Sequence, residues 1–306
     1  MSISKESINI FTSFPHGNKD RLLRLNEIKR ELNDDRKPLF KEGLEIVKKV
    51  NYENKIIIDA GCGSGTKTIP LAFKSKAKKV IGIDGSKSAI KNAKFFSNKL
   101  KLKNVLFLND KLENLNILIK KELNNNKVDL IVNYQNLHHV TDWKDILKKF
   151  YSVLKPGGLL VVNIVDPTSG FSQFMLRNKI CYYLGKTPEK RAKIGKFLFG
   201  ILEKKKNVHD IEDIDFYVDR FGAFYHWIFP YQIINEMKNI GFQVAETFPH
   251  YKLDDWLMAN KNSIRSKKIK KIIKIFPALK ILFAFLMRTR QFVLGEDTRT
   301  YYAIKK

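Results

Sequence analysis

The residues best equipped for chemistry are a glycine-rich loop, Asp59-Ala60-Gly61-Cys62-Gly63-Ser64-Gly65, and the carboxylates that follow it, Asp84 and Asp110. Glycines leave no Cβ in the way and tolerate positive φ, so such a loop lets a ligand approach the backbone closely. A helix opening directly behind it adds free N–H groups. Dinucleotide sites more often space their glycines G-x-G-x-x-G, with the pyrophosphate on the helix end. Here the third glycine comes one residue early, and taken alone the loop is also compatible with a plain turn. Asp84 lies about 20 positions past the loop, placed to accept hydrogen bonds from ribose hydroxyls or to cap the helix after it. Asn109-Asp110 can accept from an adenine amino group or close a strand as turn residues.

An alternation of strands and helices must position these groups. Residues 55–59, 79–84, 104–108, 128–132 and 159–164 are short apolar runs that read as buried strands. Residues 66–75, 86–100 and 142–154 suit helices between them, the last stopping at the Lys155-Pro156-Gly157-Gly158 turn. This predicts a parallel α/β sheet with right-handed crossovers, binding its ligand at the carboxyl ends of the strands. Asp59, Asp84, Asp110 and Asn133 all fall there. Residues 20–50 show helical periodicity broken at Pro38. After Asp166-Pro167 the alternation stops; it resumes with a helix at 231–239 and a strand at 241–246. Residues 292–294 and 300–304 read as a closing strand or hairpin around Gly295.

The 306-residue chain carries a formal net charge of +26. Residues 167–206 hold ten Lys or Arg against two Glu, and residues 252–294 hold eleven against two Asp. A compositional bias alone would spread this charge, so both segments are expected to face something anionic. In 264–287 apolar residues recur at 269, 272, 276, 279, 283 and 286, a helical stripe that Pro277 should split. The stripe is expected to pack into the protein, with an anionic membrane surface as the alternative. The N-terminal stretch lacks the pattern of a secretory leader, and no run of 18 apolar residues suggests a spanning helix. Two cysteines, Cys62 and Cys181, without zinc-like spacing fit a reducing compartment. The expected location is cytoplasmic, with peripheral contact at the inner membrane surface left open.

His138 and His139 with Asp142 hint at a metal, but adjacent side chains do not converge on one ion, and no metal site is expected. The acidic run 209–215 reads as a solvated loop, with a divalent site as the alternative.

Five segments in series resemble the class I S-adenosylmethionine (SAM)-dependent methyltransferases of small-molecule type. They are Ile-Ile-Ile-Asp-Ala-Gly-Cys-Gly-Ser-Gly (56–65), Val-Ile-Gly-Ile-Asp-Gly-Ser (80–86), Asn-Asp-Lys-Leu-Glu-Asn-Leu (109–115), Asn-Leu-His-His-Val-Thr-Asp (136–142) and Leu-Lys-Pro-Gly-Gly-Leu-Leu-Val-Val (154–162). The match covers 55–165, with a weaker one at 228–248 and 292–304. The resemblance implies a Rossmann-like α/β fold: a seven-stranded, mostly parallel sheet flanked by helices, with helical inserts after strand 5 and between strands 6 and 7. It implies S-adenosyl-L-methionine as cofactor. Asp59 and the loop backbone at Gly61, Cys62, Gly63 and Gly65 would hold its amino-acid end, and Asp84 its ribose hydroxyls. Asp110 and Lys111 would flank the adenine; Asn133 and Tyr134 would line the methyl-donor side. Gly85 stands where the family often has an apolar residue packing the adenine.

The implied chemistry is in-line methyl transfer, in which positioning and desolvation supply much of the rate. A base is needed only for a protonated nucleophile. Tyr134, His138 and His226 are the catalytic candidates, with Tyr217, Tyr225 and His16 behind them; His226, amid aromatic residues, also reads as a core histidine. The domain plan is an N-terminal helical segment and cofactor lid (1–54), the SAM-binding core (55–166), a helical substrate insert (167–229), a core helix with strand 6 (230–250), a basic amphipathic insert (251–291) and closing strand 7 (292–306). The expected acceptor is small or lipid-linked, with an anionic group as one option, methylated on oxygen or nitrogen. The alternatives are an RNA methyltransferase and a non-catalytic SAM-fold module binding a membrane or partner. The sequence leaves the oligomeric state unknown.

Overall fold

Apolar runs ending in glycine or an acid become the central strands. In a computed structural model of the chain, the described residues are 3–13, 25–26, 28–29, 32, 52–167, 172–204, 217–218, 221–248, 253–254, 257, 264–294 and 298–306. Strands β1 (Ile56–Ala60), β2 (Lys79–Asp84), β3 (Val105–Asn109), β4 (Val128–Tyr134) and β5 (Leu154–Val165) pair in parallel. β6 (Phe242–Phe248) and β7 (Thr298–Lys305) complete a seven-stranded sheet of order β3-β2-β1-β4-β5-β7-β6, with β7 antiparallel to both neighbours. The helices are α1 (Ile3–Ser13), α2 (Thr68–Lys74), α3 (Lys87–Lys99), α4 (Leu115–Leu123), α5 (Trp143–Val153), α6 (Ser172–Leu184), α7 (Pro188–Lys204), α8 (Pro230–Ile240), α9 (Ile264–Ile275) and α10 (Leu279–Leu294). This is the expected Rossmann-like sheet, with α6–α7 after β5 and α9–α10 between β6 and β7.

Consecutive strand residues face opposite sides of a sheet. Ile58, Ile81, Ile131 and Leu160 pack with Leu115, Phe150 and Ile233 of α4, α5 and α8, whereas Ile57, Val80, Leu130 and Val161 pack with Leu71 and Ala72 of α2. Both faces are covered, which is why the strands are almost uninterrupted in apolar residues. A further cluster joins Cys181, Ala192, Tyr217 and Phe221 to Ile10 of α1. At the end of β5, Asp166 accepts a 2.7 Å bond from Nε of Arg299 at the start of β7, both fully buried. Among the described residues no helix is long and apolar enough to cross a membrane.

Three readings change. Residues 292–294, expected to pair as a strand, form the last turn of α10; three apolar residues are too few for a period of two to outweigh a helix already under way. The Lys155-Pro156-Gly157-Gly158 segment is the start of β5 rather than a turn outside it. Gly157 at φ +73° and the register shift between Val128 and Leu130 let β5 pass this irregular point and still pair. The stripe at 269, 272, 276, 279, 283 and 286 does not close into the core, and none of its members is buried. Pro277 splits the helix as expected.

Candidate active site

β1 has β2 on one side and β4 on the other, so connections leave it in opposite directions and a crevice opens at the strand ends. A cavity of about 440 Å³ lies there, walled by Asp59, Gly61, Cys62, Gly63, Asp84 and Gly85, with Lys67, Lys111, Tyr134, His138 and Tyr225 among the other lining residues.

The glycines of the loop do different work. Gly61 N and Cys62 N donate to Ile83 O at 2.8 and 3.1 Å, lashing the loop to β2. At Gly61 (φ +80°) a Cβ would meet the Asn136 side chain at 2.3–2.6 Å. Gly63, at φ +52°, would meet nothing within 4 Å, so its face is open to the cavity. Gly65 packs on Ala93 and Phe107, behind the loop and outside the cavity wall.

Asp84 accepts from Gly63 N at 2.9 Å and from Ser86 N at 2.8 Å. The cap of α3 is Ser86, whose Oγ accepts from Ala89 N, so Asp84 braces the loop and edges the cavity. Asp59 is buried and accepts from Thr68 Oγ1 at 2.6 Å. Burial raises its pKa to about 6, with the Thr68 bond pulling downward and the charge of Asp84 adding to the rise.

Two expected site residues turn elsewhere. Asp110 is not among the residues lining the cavity; its Oδ1 accepts from Lys111 N and Asn114 Nδ2 at 2.7 and 2.8 Å, turning it toward the short turn Leu112–Asn114. Its place on the wall goes to Lys111, Leu112 and Glu113. Asn133 is buried and donates from Nδ2 to Ala60 O at 2.7 Å, tying β4 to β1 behind the cavity.

His138 and His139 sit on the turn Leu137–His139, and both line the cavity. His138 is only 1% exposed, stacks on Tyr225 at 5.0 Å, and finds no hydrogen-bond partner for either ring nitrogen among the described residues. Burial, then the neighbouring His139 and His226, hold its pKa well below the ordinary histidine value, so the ring is neutral. His226 is not on the wall; its backbone N donates to His138 O at 2.9 Å. Tyr217 belongs to the cluster of the insert. His16 and the acidic run 209–215 lie outside the described residues.

Sequence reasoning missed the cavity residues of α1: Ser4, Ser7, Ile8 and Phe11. Ser86 Oγ and Ser88 Oγ donate to Phe11 O and Thr12 O. Ser4 N donates to Thr141 Oγ1 and Ser4 Oγ to Glu113. Glu6 pairs with Arg191 of α7 at 2.6 Å and accepts from Tyr182 OH at 3.0 Å. Ile8 fills the space beside Gly85, its Cδ1 and Cγ1 lying 2.7 Å from where a Cβ would stand. The signal was Gly85 itself: where an apolar side chain is missing, another element must supply it.

A family model described as a methyltransferase domain matches residues 51–221, over half of the chain. The chain belongs to this family, the class I methyltransferases that use S-adenosylmethionine. Among its relatives, a ubiquinone biosynthesis O-methyltransferase of Bradyrhizobium sp. (strain ORS 278) is 29% identical over 36% of this chain and 40% of its own. The mitochondrial ubiquinone biosynthesis O-methyltransferase of Dictyostelium discoideum is 26% identical over 50% of this chain and 49% of its own. The matched region thus spans at most about half the length of these curated relatives. The fold is also that of a magnesium protoporphyrin IX methyltransferase from Synechocystis PCC 6803, solved with bound SAM, at a TM-score of 0.51 and 12% identity over 100% of this chain and 98% of that one.

Proposed function

We propose that the protein methylates a hydroxyl of a small-molecule or lipid-linked acceptor, with His138 receiving the proton. One observation carries this: a single cavity joins the open side of the glycine loop to a neutral, buried imidazole with no partner among the described residues. Nitrogen remains the second acceptor atom; the names of the two relatives favour oxygen.

The residues present fit SAM. Gly63 leaves its side of the cradle clear for the amino-acid end, where Asp59 offers a carboxylate to an ammonium. Asp84 edges the cavity at the ribose position, and Ile8 with Leu112 supplies apolar packing for the adenine in place of a side chain at Gly85. When bound, SAM supplies a methyl group already activated on a sulfonium. Tyr134 and Tyr225 wall the acceptor side and exclude water. His138 would accept the proton of the acceptor hydroxyl at a ring nitrogen as that oxygen is methylated. Lys67, over the Tyr134 ring on the wall, suits an acceptor that carries phosphate or carboxylate.

His138→Gln should lower kcat by about 10²–10⁴-fold, the usual worth of a general base, with SAM affinity within a few-fold of wild type. Undiminished kcat removes His138 from the mechanism. Transfer of labelled methyl from SAM into an extract fractionated by class tests the acceptor, and label confined to RNA overturns this reading.

A further inference from the structure

Between β6 and β7 the chain leaves the sheet for α9 and α10, joined at Pro277. Residues 264–294 hold nine Lys or Arg and no Asp or Glu. Around the Pro277 turn the largest apolar side chains face outward: Ile275 is 59% exposed, Phe276 60%, Ile281 78% and Leu282 48%. Four large apolar side chains exposed around one turn mark a contact surface rather than scattered exposure. Beside it lies a second cavity of about 310 Å³, lined by Lys270, Lys274 and Lys280 with Asp254, Leu257 and Ile273. Asp254 pairs with Lys280 at 2.8 Å, which leaves the cavity rim cationic overall.

The chemistry selects the occupant. A second copy of this face would bring Lys270, Lys274 and Lys280 against the same three lysines, with only Asp254, already paired, to offset them. A nucleic acid would satisfy the lysines and leave the apolar side chains in water. A surface that is anionic outside and apolar beneath satisfies both. We propose that the α9–α10 hairpin seats on an anionic lipid bilayer. Ile275, Phe276, Ile281 and Leu282 enter the boundary between headgroups and acyl chains, while Lys270, Lys274 and Lys280 take lipid phosphates. This contact is separate from the SAM cavity, which shares none of these residues.

The test is co-sedimentation of the full chain with vesicles of phosphatidylcholine alone and of phosphatidylcholine mixed with phosphatidylglycerol. Binding should require phosphatidylglycerol and weaken as salt is raised. Lys270→Ala with Lys274→Ala should cost about fivefold in vesicle affinity per lysine. Phe276→Ser with Ile281→Ser should reduce binding at unchanged melting temperature, because both side chains are exposed. Equal sedimentation with neutral vesicles, or anionic binding untouched by both double variants, overturns the proposal. So does a salt-sensitive mobility shift with single-stranded RNA without vesicle binding. Inorganic phosphate that abolishes vesicle binding at low millimolar concentration overturns it in favour of a free-anion site. SAM affinity, measured in parallel, should be unchanged in both variants, which separates failure here from failure of the methyltransferase reading.

Discussion

Placing an alanine at Gly63 isolates the cofactor cradle from the fold. Its φ of +52° lies in the left-handed region, and a Cβ there meets no atom within 4 Å. The fold therefore loses only the cost of a non-glycine residue in that region, about 1–2 kcal/mol, or a fall in melting temperature of about 2–3 °C for a chain of this size. The added methyl projects into the cavity. Overpacking a fitted site costs about 1–3 kcal/mol, so SAM should bind about 5- to 150-fold more weakly. Gly61→Ala is the contrast, since its Cβ would collide with Asn136 at 2.3–2.6 Å; it should lose stability well beyond the Gly63 variant. Titration calorimetry with SAM and S-adenosylhomocysteine, alongside thermal melts, reads both quantities. A Gly63→Ala protein that melts slightly lower yet binds SAM within twofold of wild type refutes the assignment of the open loop face to the cofactor.

Other outcomes follow from the same coordinates. Because burial raises the Asp59 pKa to about 6, its protonated form stabilises the unliganded protein fully below about pH 4, and this is lost as pH rises through about 6, on the order of 3 kcal/mol. Melts across that window should show wild type losing stability relative to Asp59→Asn, and parallel curves contradict the shift. Arg299→Ala leaves the Asp166 carboxylate buried without its guanidinium and should cost about 3–5 kcal/mol in urea unfolding; a loss under about 1 kcal/mol would show the pair to be solvated. Ile8→Ala removes the side chain beside Gly85 and should weaken SAM about 5- to 30-fold by lost apolar contact of about 1–2 kcal/mol. Gly85→Ala, which crowds Ile8, should be better tolerated in the Ile8→Ala background, and strict additivity in the double variant would show the two residues are not coupled.

The parts of the molecule legible in sequence are those with local causes. Runs such as Ile56-Ile57-Ile58 declare buried parallel strands, and the glycines of 61–65 declare a loop that something must approach. Asp110 and Asn133 were legible as strand-end residues but not in direction: which way a short polar side chain turns depends on neighbours such as Asn114 Nδ2 and Ala60 O, which only the folded chain supplies. His138 was visible as a candidate, whereas the burial that lowers its pKa, and after it the charges of His139 and His226, come only with folding. The Asp166–Arg299 pair spans 133 residues of sequence, with no pattern linking its ends. A lid was expected from the N-terminal segment, but not which residues of α1 form it, since its partners Ser86, Glu113, Thr141 and Arg191 are far along the chain.

In the proposed SAM site, Ile8 puts part of the wall on a helix separate from the sheet. Once α1 is docked, its Phe11 and Thr12 carbonyls accept from the serines of the α3 cap and its Glu6 pairs with the insert helix α7. Cofactor affinity and helix docking then become reciprocal quantities: whatever free energy SAM gains from α1, α1 gains from SAM. Residues 3–13 should exchange their amide hydrogens more slowly with SAM bound, and release of S-adenosylhomocysteine should quicken in a chain lacking them. On the proposed reading, turnover would then depend partly on how long α1 stays docked.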